Sequence, residues 1–227
     1  MSITTLISTP DTVELVRDQI GAILLSESEA QMALARAVDL DPDLWRLRVF
    51  LERSLPFEQF WDAPDKVELE GTQAPIVNVW FDSDTFDLSR SNIVERQGTT
   101  AKFNIDCYGY GKDEAAQSGH VPGDLTAAFE AQRCMRLVRN ILMAAHYTWL
   151  GMRGTVWRRW ISGRTMFKPQ ADEQRHAQHV IGARLVLEVQ FSEFSPQVES
   201  VPLEMLSIAV KRTEAGELYL THTTEYP

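Results

Sequence analysis

Residues 179–196, HVIGARLVLEVQFSEFSP, constrain the fold most. Ile181, Ala183, Leu185, Leu187, Val189 and Phe191 alternate with Arg184, Glu188 and Gln190. A period of two is that of an extended chain with one face buried, so this segment predicts a long strand. A strand of this kind needs neighbours on its edges and a layer over its apolar face. Two earlier segments also read as strands. APIVNVWFD (74–82) is a continuous apolar run, as expected of a central strand covered on both faces. In TAKFNIDCYGYG (100–111), Ala101, Phe103, Ile105 and Cys107 alternate with Lys102, Asn104 and Asp106. GTVWRRWISGRTMFKP (154–169) predicts a strand or two with a turn near Ser162 and Gly163, and residues 206–227 predict a closing hairpin that turns around Glu214, Ala215 and Gly216.

The covering layer must come from helices. Residues 124–151 carry the strongest helical period, with Leu125, Ala128, Phe129, Val138, Ile141, Leu142, Ala145 and Trp149 as an apolar stripe. Asp124 is the expected N-cap and Gly151 the C-cap, and Arg133, Arg136 and Arg139 lie on the flanks. Three further helices are predicted near the start: one opening at Pro10 and Asp11, one over 26–38 and one over 41–54 with Leu44, Leu47, Phe50 and Leu51 on one side. Segments 55–74, 82–99 and 111–124 read as irregular connections. Helices first, then strands that mostly follow one another, predict an α+β fold. Its sheet is largely antiparallel with helices packed on one face, an N-terminal helical segment (1–70), and an α+β domain (71–227) closed by the C-terminal hairpin.

The formal net charge of −10 is unevenly spread: residues 1–95 hold 7 basic and 18 acidic side chains, residues 133–184 hold 10 basic and 2 acidic. An acidic protein is a poor generic nucleic-acid coat. Its asymmetry instead predicts two faces of opposite sign, suited to contacts between copies. No apolar run reaches the roughly 20 residues of a membrane span, and the first residues lack a signal peptide's basic and apolar regions, so a protein made in the cytosol is expected. Cys107 and Cys134 are expected to be buried thiols rather than a redox pair.

Chemical motifs are sparse. Asp82 and Asp84 end an apolar strand in VWFDSDTFD (79–87), a pattern that resembles the metal motif of nucleotide-sugar glycosyltransferases and would suit Mg²⁺ or Mn²⁺. No nucleotide-binding βα turn precedes it, and turn-capping carboxylates are the plainer expectation. His176 and His179 have ligand spacing without a third ligand, and Gly109-Tyr110-Gly111-Lys112 lacks the full phosphate-loop spacing. Trp157-Arg158-Arg159-Trp160 interleaves rings and guanidiniums. Single-stranded nucleic acid is one ligand for such a pattern, and a protein interface is the stronger expectation because Trp and Arg anchor interfaces. Arg133, Arg136, Trp157, Arg158, Arg159 and Trp160 are therefore the candidate interface residues, and no catalytic residue, metal or cofactor is expected.

Over about residues 70–196, the order APIVNVWFD, KFNIDCYGYG, AFEAQRCMRLVRNIL, ARLVLEVQFSEFSPQ resembles the neck and tail-terminator (tail-completion) proteins of tailed bacteriophages. The resemblance implies a structural virion protein assembled in the host cytoplasm. A small α+β subunit would form a ring, commonly a homo-hexamer, that caps the tail tube protein and docks to a head-side connector, with DNA passing through its lumen and no membrane partner. The helical first 70 residues and the closing hairpin exceed a minimal terminator, which leaves a head-closure or adaptor ring as the alternative.

Overall fold

The computed structural model describes residues 10–60, 74–87, 89, 96–116, 119–169, 178–194, 205–211 and 218–225. Helix α1 is Thr12–Ala37 and α2 is Gly123–Met143. The strands are β1 (Arg48–Leu51), β2 (Ile76–Asp87), β3 (Arg96–Lys112), β4 (Glu114–Ala116), β5 (Gly119–Val121), β6 (Val156–Phe167), β7 (Gln178–Phe194), β8 (Met205–Lys211) and β9 (Leu218–Glu225). The class is α+β. Five strands form one sheet in the order β1-β2-β3-β7-β6, antiparallel except where β1 runs parallel to β2. β4 and β5 pair separately, as do β8 and β9. The chain divides into two compact units, Ile7–Ser195 and one that holds Pro196–Pro227. The closing hairpin belongs to the second, and its expected turn around Glu214, Ala215 and Gly216 lies outside the described residues.

The alternating strands behave as their period requires. Ala101, Phe103, Ile105 and Cys107 of β3 register with Val189, Leu187, Leu185 and Ala183 of β7, and all eight are fully buried. With Val77 and Val79 they share a core with Val16, Ile20, Ile23 and Leu24 of α1 and Ala131, Cys134, Val138 and Leu142 of α2. Residues of opposite parity (Ile76, Tyr108, Tyr110, Val180) form a second cluster with Phe57 and Phe60, from a 3-10 turn over Pro56–Phe60. Both cysteines are buried and unbridged. Burial, and contact with the Cys134 thiol, push the Cys107 thiol well above its usual value.

Several expectations are corrected. The irregular connection expected over 111–124 holds the paired strands β4 and β5, and α2 ends at Met143 with Ala144, not Gly151, as its C-cap. The two helices expected over 11–38 are one continuous helix. Ser28, inside that helix, donates its hydroxyl to the Trp45 carbonyl at 2.7 Å and accepts the Leu47 N–H at 3.0 Å. The helix expected over 41–54 is a 3-10 turn, Pro42–Trp45, followed by β1, because Val49 and Phe50 suit a strand and β2 offers an edge. Within the loop expected over 82–99, residues 82–87 and 96–99 are strand: β2 continues to Asp87 against β3, most of its side chains beyond Phe81 facing solvent. Asp124 does not cap α2. The helix begins at Gly123, whose N–H donates to Asp113 Oδ1 at 2.7 Å.

The Tyr-Gly-Tyr-Gly end of β3 also has a structural explanation. A Cβ on Gly109 would collide with the backbone of Ala127 and Ala131, and one on Gly111 with the backbone of Gly123 and Ala127. The first half of α2 therefore rests its Gly123, Ala127 and Ala131 face directly on the strand, backbone to backbone. The apolar stripe expected of α2 is shifted accordingly: Leu125 and Phe129 are exposed, and small residues occupy the contact.

Candidate functional site

β6 is an edge strand of the sheet, and two irregularities decide where its side chains point. The first, between Val156 and Arg158, follows the buried Val156. Arg159 and Ile161 then register with the core-facing Val189 and Leu187 of β7. The second, at Ser162, shifts the register by one residue. A one-residue slip exchanges the two faces of a strand. Arg164 and Met166 consequently register with Leu185 and Ala183, on the same face as α2. The expected turn near Ser162 and Gly163 is thus a bulge within one strand.

The Trp157–Trp160 segment divides between structure and surface. The Arg159 guanidinium donates to the carbonyls of Leu142 (2.5 Å), Ala144 (2.7 Å) and Thr148 (3.0 Å). These carbonyls lie at and just beyond the end of α2, where backbone acceptors lack helical partners and the dipole favours a cation. Burial holds its pKa somewhat below the ordinary arginine value. Arg159 therefore closes α2. Arg158 is exposed and lies 5.1 Å over the Trp160 ring, and Arg96 lies 5.1 Å over Trp157 while donating to Ser192 Oγ at 2.6 Å. Arg133 likewise serves the fold. It pairs with Glu130 at 2.6 Å and donates to the Leu44 carbonyl at 2.5 Å, tying the turn after α1 to the flank of α2.

Arg136 belongs to a different feature. Between the outer flank of α2 and the second half of β6 lies an open groove of about 640 Å³, lined by Arg136, Arg139, Arg164, Met135 and Met166 among others. Three exposed guanidiniums over two thioethers can bind carboxylates or phosphates while covering apolar side chains. The helical period places Arg136 and Arg139 on the helix flank, but the sequence does not disclose Arg164, since simple alternation from Trp160 puts it on the opposite face.

On the other face, a smaller cavity of about 310 Å³ includes Asn78, Trp80, Asp106, Tyr108 and Arg184. Asp106 is almost fully buried. Arg184 holds it in a two-point pair at 2.7 and 2.9 Å, Trp80 Nε1 donates to it at 3.0 Å, and the Tyr108 hydroxyl lies 3.4 Å away. Arg184 sits between the Trp80 and Phe167 rings, and its hydrogen bond to Asp106 raises its pKa. Burial, then the Asp106 charge, raise that of Tyr108. The network satisfies its own members.

Asp82 accepts from Asn104 Nδ2 at 3.0 Å and from Ser83 Oγ at 3.1 Å, on the exposed part of β2. His179 lies 3.3 Å from Asp113 and His176 is outside the described residues. Among the described residues, no three His, Cys, Asp or Glu side chains are grouped to hold a metal ion. Nor is any described helix long and apolar enough to cross a membrane. No protein-family model matches the chain, and no curated protein matches it significantly.

Proposed function

We propose that this chain is a structural subunit of a tailed-phage neck, a tail terminator that assembles into a ring, caps the tail tube and joins it to the head-side connector. The observation that carries this reading is the segregation of charge. Arg136, Arg139 and Arg164 line an open groove beside an edge strand, and the acidic side chains concentrate in the N-terminal half. Opposed surfaces on one subunit favour ordered contacts between copies. The net charge of −10 also keeps a ring lumen from holding DNA, because phosphate repulsion weakens non-specific binding. The element order over residues 70–196 favours the terminator over other assembly subunits.

Native mass spectrometry and negative-stain imaging of the purified chain, alone and with tail tubes, test the proposal. Closed rings, commonly hexamers, seated on tube ends are the expected result. A chain that neither forms rings nor binds tubes or connectors overturns it. Rings located on the connector and not on the tube would reassign the chain to a head-closure or adaptor ring.

A further inference from the structure

We propose that the arginine groove between α2 and β6 receives, from a second copy of the chain, the acidic turn that follows α1. The inference rests on the reading that copies of this chain assemble, and it identifies the two surfaces that meet.

The turn is well built for insertion. After α1, the N–H groups of Val38 and Leu40 both donate to the Ala35 carbonyl, at 3.1 and 3.0 Å. Asp39 adopts a left-handed conformation (φ 56°), and Asp41 accepts the N–H of Asp43 at 3.0 Å. These bonds hold the backbone in one shape before any partner arrives, which lowers the ordering cost of binding. The turn presents carboxylates at every second position (Asp39, Asp41, Asp43), all exposed. Between and beside them, Val38, Leu40 and Leu44 are 47–65% exposed. The negative end of the α1 dipole lies at the same place.

The groove has matching chemistry: Arg136, Arg139 and Arg164 for the carboxylates, Met135 and Met166 for the aliphatic side chains. Its volume of about 640 Å³ admits several side chains. Within one copy the Arg133 bond to the Leu44 carbonyl holds the turn, and no residue of the turn is among those that line the groove. Since turn and groove are different patches, the contact is head-to-tail, and its repetition closes a ring or extends a filament.

Cysteine pairing on the full-length chain tests the contact. Chains carrying Val38→Cys are mixed with chains carrying Met166→Cys under mild oxidation. A disulfide-linked heterodimer that neither variant forms alone is expected. In parallel, the Arg139→Glu, Arg164→Glu double variant should weaken self-association in sedimentation at least about tenfold, with its circular dichroism unchanged. If that variant does not fold, the cysteine mixture decides. A wild-type chain that self-associates while the mixture stays uncrosslinked overturns this contact and leaves assembly standing. A wild-type chain that remains monomeric, again without crosslinking, overturns both.

Discussion

Arg159 joins three backbone carbonyls, and its removal leaves the end of α2 without its cation. A charge-assisted hydrogen bond contributes about 1.5–3 kcal/mol, less where water competes, and bonds from one group do not add fully. Arg159→Met is therefore expected to destabilise the fold by about 2–4 kcal/mol in urea unfolding, whereas Arg158→Ala, which removes an exposed ring contact, should stay within about 0.5 kcal/mol. Equal effects would contradict the division made between these neighbours. Glu193 permits a pH test. Its side chain accepts the Thr12 N–H at 2.9 Å at the start of α1, and burial raises its pKa above the usual carboxylate value. Protonation is thus easier in the folded state. This group's contribution is fully present below the unfolded pKa and is lost as pH rises through the folded one. Glu193→Gln keeps the acceptor without the charge. Its stability relative to wild type should be most favourable at pH 7 and fall as pH drops toward 4. A pH-independent difference in paired unfolding curves would refute the assignment.

The contact of α2 with β3 depends on the absence of side chains. Gly109→Ala would drive a methyl group into the α2 backbone at Ala127, where no rotamer change relieves it. Overpacking of this kind costs about 1–3 kcal/mol, and a drop of that size in thermal or urea stability is expected. No change would mean that α2 is not seated on Gly109. This glycine pair also marks the limit of what the sequence discloses about the elements. β3, β7 and α2 are legible because a buried face imposes its period. β1 is not, because Leu44, Leu47 and Leu51 fit a helical spacing by coincidence while pairing with β2 decides the outcome. The outer half of β2 is hidden for the opposite reason: its side chains face water and carry no period. The site was legible in part. Arginine enrichment after residue 133 is plain, but which guanidiniums serve the fold (Arg133, Arg159, Arg184) and which remain outward (Arg136, Arg139, Arg164) depends on partners far away in the chain.

For the whole molecule, charge segregation predicts that the proposed assembly is sensitive to salt. Contacts between exposed charges are screened over about 8 Å at physiological ionic strength and about 3 Å at 1 M. Self-association measured by sedimentation should weaken markedly between about 0.05 and 1 M NaCl, while the unfolding midpoint of the monomer, set by its apolar core, moves little. Association that strengthens with salt would assign the contact to apolar surface and remove the role given to the arginines. Orientation adds a second constraint. Under the proposed contact, a basic recess meets an acidic turn on the next copy, so the resulting array has a direction.

The bulge at Ser162 sets which way the second half of β6 speaks. Deleting one residue there would leave composition, charge and hydrophobicity almost untouched, yet would turn Arg164 and Met166 to the far side of the sheet. The groove is thus written in the parity of the chain as much as in its residue types. Two relatives with the same arginines and a different count between Ile161 and Arg164 would present them on opposite faces of the sheet.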